Sequence, residues 1–140
     1  MARGTEAVID APALARNLER VRRWAGDARV MAVIKADAYG HGLDRCFPAL
    51  AGADLLAVAT LDEARAIRAL DARAPVLLLE GVLSGDELAV VDELGLEVVV
   101  HSPEQLAWIE ASDRPLAPRV WLKIDSGMHR LGFPLAEARD

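Results

Sequence analysis

Apolar positions along this chain fall into short, nearly uninterrupted runs that alternate with stretches of helical spacing. The runs cover Val30–Lys35, Asp54–Thr60, Pro75–Glu80, Leu96–His101 and Arg119–Ile124. Four of them begin with almost no polar interruption, as parallel strands covered on both faces do. Helical patterns lie between them at Leu43–Ala51, Leu61–Leu70, Ser84–Leu94 and Pro103–Ala111, with an earlier one at Pro12–Ala25. Start or stop signals accompany them. Asp10 opens the first and Gly26 closes it; Thr60 precedes Leu61-Asp62-Glu63; Ser84 is followed three residues on by Glu87; Ser102-Pro103 is followed by Glu104. Gly52 and Gly95 supply helix stops. A further helix is expected to begin at Pro134-Leu135-Ala136.

Strand starts at residues 30, 54, 75, 96 and 119 recur every 21 to 24 residues, the βα period of an α/β protein. Two architectures accommodate five such units. A doubly wound open sheet calls for a phosphate turn of the G-x-G-x-x-G kind after the first strand, and the residues after Lys35 do not match it. A (β/α)8 TIM-type barrel instead carries its chemistry at the C-terminal ends of several strands. Lys35 ends the first run and a polar cluster from Lys123 to Arg130 ends the fifth, which favours the barrel. Five strands of eight cannot close. Residues 1–140 are therefore expected to be about the first five βα units of an incomplete barrel, the N-terminal part of a longer protein.

Composition narrows the class without naming a reaction. With 53% hydrophobic and 27% charged residues, the 140-residue chain suits one globular domain with a real core. A net charge of −6 argues against a nucleic-acid or anionic-membrane surface. Cys46 is the single cysteine, so no disulfide framework exists, and a reduced, cytoplasmic setting is the default. No apolar run reaches membrane-spanning length, and the first residues lack a secretory pattern. Three histidines, none spaced as ligands, argue against a metal site.

Candidate chemistry concentrates in two segments. The first is Val33-Ile34-Lys35-Ala36-Asp37-Ala38-Tyr39-Gly40-His41-Gly42, with a lysine at the end of an apolar run directly before a glycine-flanked tyrosine and histidine. An amine leaving a hydrophobic wall can act as a nucleophile towards an aldehyde, the requirement for Schiff-base chemistry. A lone lysine in such a place is more often a strand-end side chain snorkelling over a turn. The second is Val120-Trp121-Leu122-Lys123-Ile124-Asp125-Ser126-Gly127-Met128-His129-Arg130-Leu131-Gly132-Phe133, a strand running into a glycine-punctuated loop. Gly127 and Gly132 permit sharp turns that bring Arg130 to a pocket, where its planar fork suits a carboxylate or phenolate oxygen. Taken alone, that loop also reads as a solvated surface cluster.

Together the two segments resemble the alanine racemase family. The first is similar to that family's pyridoxal-phosphate attachment segment. The second is similar to its K-x-D-[ST]-G-M-x-R-L-G stretch, and the likeness continues through Pro75-Val76-Leu77-Leu78-Leu79-Glu80-Gly81. The resemblance implies a pyridoxal 5'-phosphate enzyme of the bacterial cytoplasm that interconverts L-alanine and D-alanine, supplying D-alanine for the cell wall. It implies that Lys35 carries the cofactor as an aldimine and serves as one of two catalytic bases. By the same resemblance Tyr39 hydrogen-bonds the cofactor phosphate, and Arg130 contacts the cofactor's ring hydroxyl and the substrate carboxylate. Lys123 corresponds to a lysine that is often carbamylated and orients the arginine. His41, Asp125 and His129 read as loop-shaping hydrogen-bonders.

The family's second base is a tyrosine of a C-terminal β domain contributed by the partner subunit of a homodimer. Tyr39 is the only tyrosine in this sequence. That base and domain are expected to be absent, and the chain alone is expected to be inactive. Two alternatives stand beside this reading. One is a related barrel protein: a broad-specificity or serine racemase, or a pyridoxal-phosphate decarboxylase, the last disfavoured by Ala36-Asp37-Ala38-Tyr39-Gly40-His41. The other is a non-catalytic truncated product.

Overall fold

The computed structural model describes residues 4–113 and 120–136. Five βα units follow one another. Helix α1 (Ala11–Ala25) precedes strand β1 (Met31–Val33). Then come α2 (Leu43–Leu50), β2 (Leu55–Val58), α3 (Leu61–Leu70), β3 (Val76–Leu78), α4 (Glu87–Glu93), β4 (Glu97–Val100), α5 (Pro103–Glu110) and β5 (Val120–Leu122). Every strand pairs in parallel with the next, in the spatial order β1-β2-β3-β4-β5. A doubly wound sheet reverses its order at a switch point. This one never reverses, and barrel-type winding is the topology that results.

Strand alternation splits the core in two. Leu56, Val58, Val76, Leu78 and Val98 face the helices, together with Ala64, Ile67, Leu88 and Val91. Leu55, Ala57, Leu77 and Val99 form a second cluster on the opposite face, joined by Met31 and Leu79. No helix residue belongs to that second cluster, yet Leu55 and Leu77 are each only 2% exposed. A flat sheet would leave such a face wet, so the sheet curls towards its own inner face. β5 keeps an open edge: Val120, Trp121 and Leu122 are all exposed.

The helix starts follow the sequence signals with one shift. Asp10 accepts from Ala13 N at 2.8 Å, Thr60 and Glu63 form a reciprocal capping box, and Ser102 caps Gln105 N. The helix expected from Ser84 begins only at Glu87, because the Glu87 carboxylate turns back to accept from Leu83 N at 2.7 Å. Two strand ends also differ from expectation. β1 stops at Val33: Ile34 N still bonds Ala57 O, but Ile34 has ψ 24° and the chain leaves the sheet there. Pro134 does not start a helix. It pairs as Phe133–Pro134 (β7) with Ile124–Asp125 (β6), and the remainder of the expected helix, 137–140, lies outside the described residues. Arg119, the expected start of the fifth strand, lies outside them too.

Candidate active site

The two segments singled out by sequence both sit at the C-terminal edge of the sheet. Lys35 follows β1 by two residues and is half-buried. Lys123 follows β5 directly, its N–H donating to Val100 O at 2.8 Å. Alternation puts Lys123 on the inner face with Trp121 and Val99. Strands one and five are separated by four sheet spacings, roughly 19 Å at about 4.8 Å each along a flat sheet. In an eight-stranded barrel those two strands stand opposite each other across the mouth.

Beyond Lys35 the backbone does something no pattern announced. Ala36, Asp37, Ala38 and Tyr39 all have φ between 51° and 56°, a complete left-handed helical turn built from non-glycine residues. Each such residue costs about 1–2 kcal/mol from its Cβ, so the turn persists only because its surroundings determine it. The ties are visible. Glu63 Oε1 accepts from Ala36 N at 2.7 Å, Asp37 Oδ1 accepts from Leu43 N at 2.6 Å, and the His41 Nδ1–H donates to Ala38 O at 2.8 Å. Ile34 and Ala38 anchor the turn in the core, at 2% and 7% exposure, while Tyr39 stands 60% exposed with its phenol open to solvent. Gly40, with φ +79° and open space where a Cβ would stand, follows it. A cleft of about 430 Å³ lies alongside, lined by Asp37, Gly40, His41, Gly42, Arg45 and Ala66 among others. A larger, mostly apolar cavity of about 460 Å³ runs from Tyr39 and Cys46 to Leu14 on α1.

The loop after β5 is shaped by Asp125. Its carboxylate accepts from Gly127 N at 2.9 Å and His129 N at 3.0 Å, and lies 3.0 Å from His129 Nδ1. These bonds, the backbone N–H of His129 foremost, hold the Asp125 carboxyl below the usual carboxylate range. His129 itself is left-handed, with φ 57°. Gly132 closes the loop where only glycine fits: a Cβ there would lie 2.7 Å from Asp125 N. Arg130 is exposed, and among the described residues it makes no ion pair or hydrogen bond, so its fork is open to a ligand.

A third tie joins β3 to β4. Gln105, 3% exposed, donates from Nε2 to Glu80 O at 2.9 Å and Val82 O at 3.0 Å, and accepts from His101 N at 2.9 Å. With both amide hydrogens used, the 3.2 Å approach of His101 Nε2 is a contact, and that nitrogen donates instead to Glu80 O. Sequence reasoning singled out neither Glu63 nor Gln105 as part of the site. Thr60-x-x-Glu63 is legible as a helix start, but its second oxygen is free for another element only in this strand register.

An amine suits an aldehyde, a phenol and glycine N–H groups suit a phosphate, and a guanidinium suits a carboxylate, so the residue types fit pyridoxal phosphate. Lys35 and Arg130 nevertheless stand on separate loops, and neither lines the two clefts. The comparisons with known proteins agree in kind. Residues 9–140 match the family described as alanine racemase, N-terminal domain. The alanine racemase of Leptothrix cholodnii is 52% identical over 133 residues, covering 95% of this chain and 35% of that protein. That of Paracidovorax citrulli is 48% identical over 139 residues, covering 99% and 38%. The solved alanine racemase from Acinetobacter baumannii superposes with a TM-score of 0.85 at 41% identity, covering 92% of this chain and 37% of that one. The structure of the Bartonella henselae alanine racemase, described with covalently bound pyridoxal phosphate, superposes with a TM-score of 0.76 at 26% identity, covering 94% of this chain and 39% of that one. The chain thus spans little more than a third of the length of these relatives. Its five consecutive βα units, and a family match that runs from Ile9 to the last residue, show that the chain belongs to the alanine racemase N-terminal domain family.

Proposed function

We propose that this chain supplies the lysine side of a pyridoxal-phosphate-dependent alanine racemase that interconverts L- and D-alanine in the bacterial cytoplasm for cell-wall synthesis. The observation that carries the reading is Lys35 at the C-terminal edge of β1, followed by a braced left-handed turn that offers Tyr39 to solvent. Bound pyridoxal phosphate supplies an aldehyde carbon for an amine and a ring that spreads electron density from the substrate Cα. Lys35 Nζ is the group that holds the cofactor and carries a proton on one face of Cα. The Tyr39 hydroxyl donates to the phosphate. Arg130 binds the substrate carboxylate through its fork, and Lys123, as a carbamate, holds that guanidinium in place. The opposite face of Cα needs a second proton carrier. Tyr39 is assigned to the phosphate, and the resemblance to the family assigns that second proton carrier to a tyrosine of the partner subunit in a homodimer.

Lysine mapping tests the reading. Lys35 and Lys123 are the only lysines in these residues. Borohydride reduction of the cofactor-loaded protein should fix the cofactor on the Lys35 peptide, and Lys35→Ala should abolish both the label and proton exchange at alanine Cα. Label on Lys123 would overturn the assignment.

A further inference from the structure

We propose that Glu63 is a positioning residue for Lys35, an inference that rests on the reading of Lys35 as the cofactor lysine. Glu63 stands at the third position of α3, where a capping-box glutamate returns to the backbone N–H of the N-cap residue. One oxygen does this: Oε2 accepts from Thr60 N at 3.2 Å and from Ala59 N at 2.8 Å. The other is not needed for capping. Oε1 reaches the neighbouring βα unit and accepts from Ala36 N at 2.7 Å, 27 residues earlier in the chain.

Ala36 N belongs to the peptide unit that begins at the Lys35 carbonyl carbon, so fixing that N–H fixes the peptide plane next to Lys35 and hence the direction in which its side chain leaves. The bond also falls at the first residue of the left-handed turn, where the backbone N–H has no partner within the turn. Asp37 secures the opposite side of the turn to α2 through Leu43 N. Among the described residues, Glu63 is the one side chain that bonds the Lys35–Ala36 backbone, and it ties that backbone to the end of β2. A carboxylate is the required chemistry, since all three of its partners are N–H donors. Glutamine offers one acceptor oxygen and would turn an N–H₂ against one set of donors. Aspartate keeps both oxygens but loses a methylene of reach.

Glu63→Gln, Glu63→Asp and Thr60→Ala, made in the holoenzyme, separate positioning from capping. Thr60→Ala removes the hydroxyl that accepts from Glu63 N at 3.2 Å and leaves the bond to Ala36 intact. It should lower stability while leaving kcat within about twofold. Both Glu63 variants should lower kcat on the order of 10- to 100-fold, the loss that follows from misplacing a reacting group by about an ångström. Their KM should stay within about threefold.

Two readouts do not depend on turnover. Amide exchange of the peptide holding Ala36 should accelerate in both Glu63 variants and not in Thr60→Ala. The pH titration of the visible absorbance of lysine-bound cofactor should shift in the same two variants only. Equal behaviour of Thr60→Ala and Glu63→Gln in kcat and in Ala36 exchange would reduce Glu63 to a helix cap. If Glu63→Gln does not fold, Glu63→Asp, which can still cap, decides by the same comparison. Borohydride labelling keeps the two readings apart. Failure to label Lys35 in the unsubstituted holoenzyme overturns the cofactor assignment and this role with it, whereas labelled Lys35 with undisturbed kcat in the Glu63 variants overturns the role of Glu63 alone.

Discussion

Gly81 and Gly95 share almost the same backbone conformation, φ +65° and +58°, but opposite surroundings. A Cβ at Gly95 meets nothing within 4 Å; one at Gly81 would collide with the Val99 carbonyl oxygen and lie 2.6 Å from Gln105 Nε2. The pair therefore divides the cost of alanine into a backbone part and a packing part. The left-handed conformation costs a residue with a Cβ about 1–2 kcal/mol. Restricting the unfolded chain returns about 0.4–1 kcal/mol. Gly95→Ala should then lose no more than about 1.5 kcal/mol. At Gly81 the same term is joined by a displacement of about 0.8 Å needed to bring Gln105 Nε2 to ordinary contact at 3.4 Å. That displacement breaks the Gln105 bonds to Glu80 O and Val82 O, and a buried amide left unpaired costs about 1–3 kcal/mol. Gly81→Ala should lose about 1–4.5 kcal/mol from these two parts, and the collision with the Val99 carbonyl oxygen adds to that loss. Urea unfolding followed by tryptophan fluorescence measures both, Trp108 lying against Gly85 in the same region. Equal losses at the two glycines would refute the claim that Gln105 fills the space beside Gly81.

Arg68 joins three chain segments at the other edge of the sheet, donating to Leu94 O at 2.7 Å, Ala74 O at 2.6 Å and Gly95 O at 3.2 Å. Arg68→Met keeps much of the stem and removes these donors. It should cost about 2–4 kcal/mol in urea unfolding, with no dependence on pH between 6 and 9, because the partners are carbonyls and the guanidinium stays charged although burial lowers its pKa. Asp125 makes a pH prediction. Its folded pKa is depressed, so its contribution is complete above the unfolded value of about 3.9 and is lost as pH falls through the folded value. Protection of the Gly127 and His129 amides should be flat from pH 8 to 5 and fall below about pH 4; a fall already complete above pH 5 would refute the role given to the Asp125 carboxylate.

The winding of the sheet was legible because five buried runs at a regular period carry it redundantly, and the caps were legible where the capping residue bonds its own helix, as Asp10, Thr60 and Ser102 do. Lys35, Tyr39 and Arg130 could be picked out as candidates because motif and strand edge coincide. The left-handed turn was not legible. Ala, Asp, Ala and Tyr have no shared local preference for positive φ, so that conformation is imposed by bonds to Glu63 and Leu43 that exist only once α3 and α2 are packed. The β6–β7 pair, two residues on each side, is too short to leave a period, and Gly132 makes it possible by admitting the close approach of Asp125 N. The shifted start of α4 has the same character: Glu87 has the spacing of a capping box to Ser84, but the geometry offers it the N–H of Leu83.

Glu63 and Gln105 follow one rule with opposite polarity. Each is the third residue of a helix whose cap is Thr60 or Ser102, and each reaches the loop after the strand of the βα unit before its own. The loop after β1 offers an N–H, at Ala36, and the residue facing it is a carboxylate with acceptors only. The loop after β3 offers two carbonyls, at Glu80 and Val82, and the residue facing them is an amide with two donors, its remaining oxygen taken by His101 N. A Thr/Ser-x-x-Glu/Gln start therefore serves twice at this edge, closing its own helix and bracing the neighbouring loop. The opposite edge is braced differently, by Asp54 holding Val30 N at 2.7 Å and by the Arg68 guanidinium, neither of which lies near a candidate site residue in the chain. Substitutions at that lower edge should act on stability alone. Substitutions at Glu63 or Gln105 should act on stability and on the loop that each residue braces, whereas Thr60→Ala, which leaves the bond to Ala36 intact, should act on stability alone.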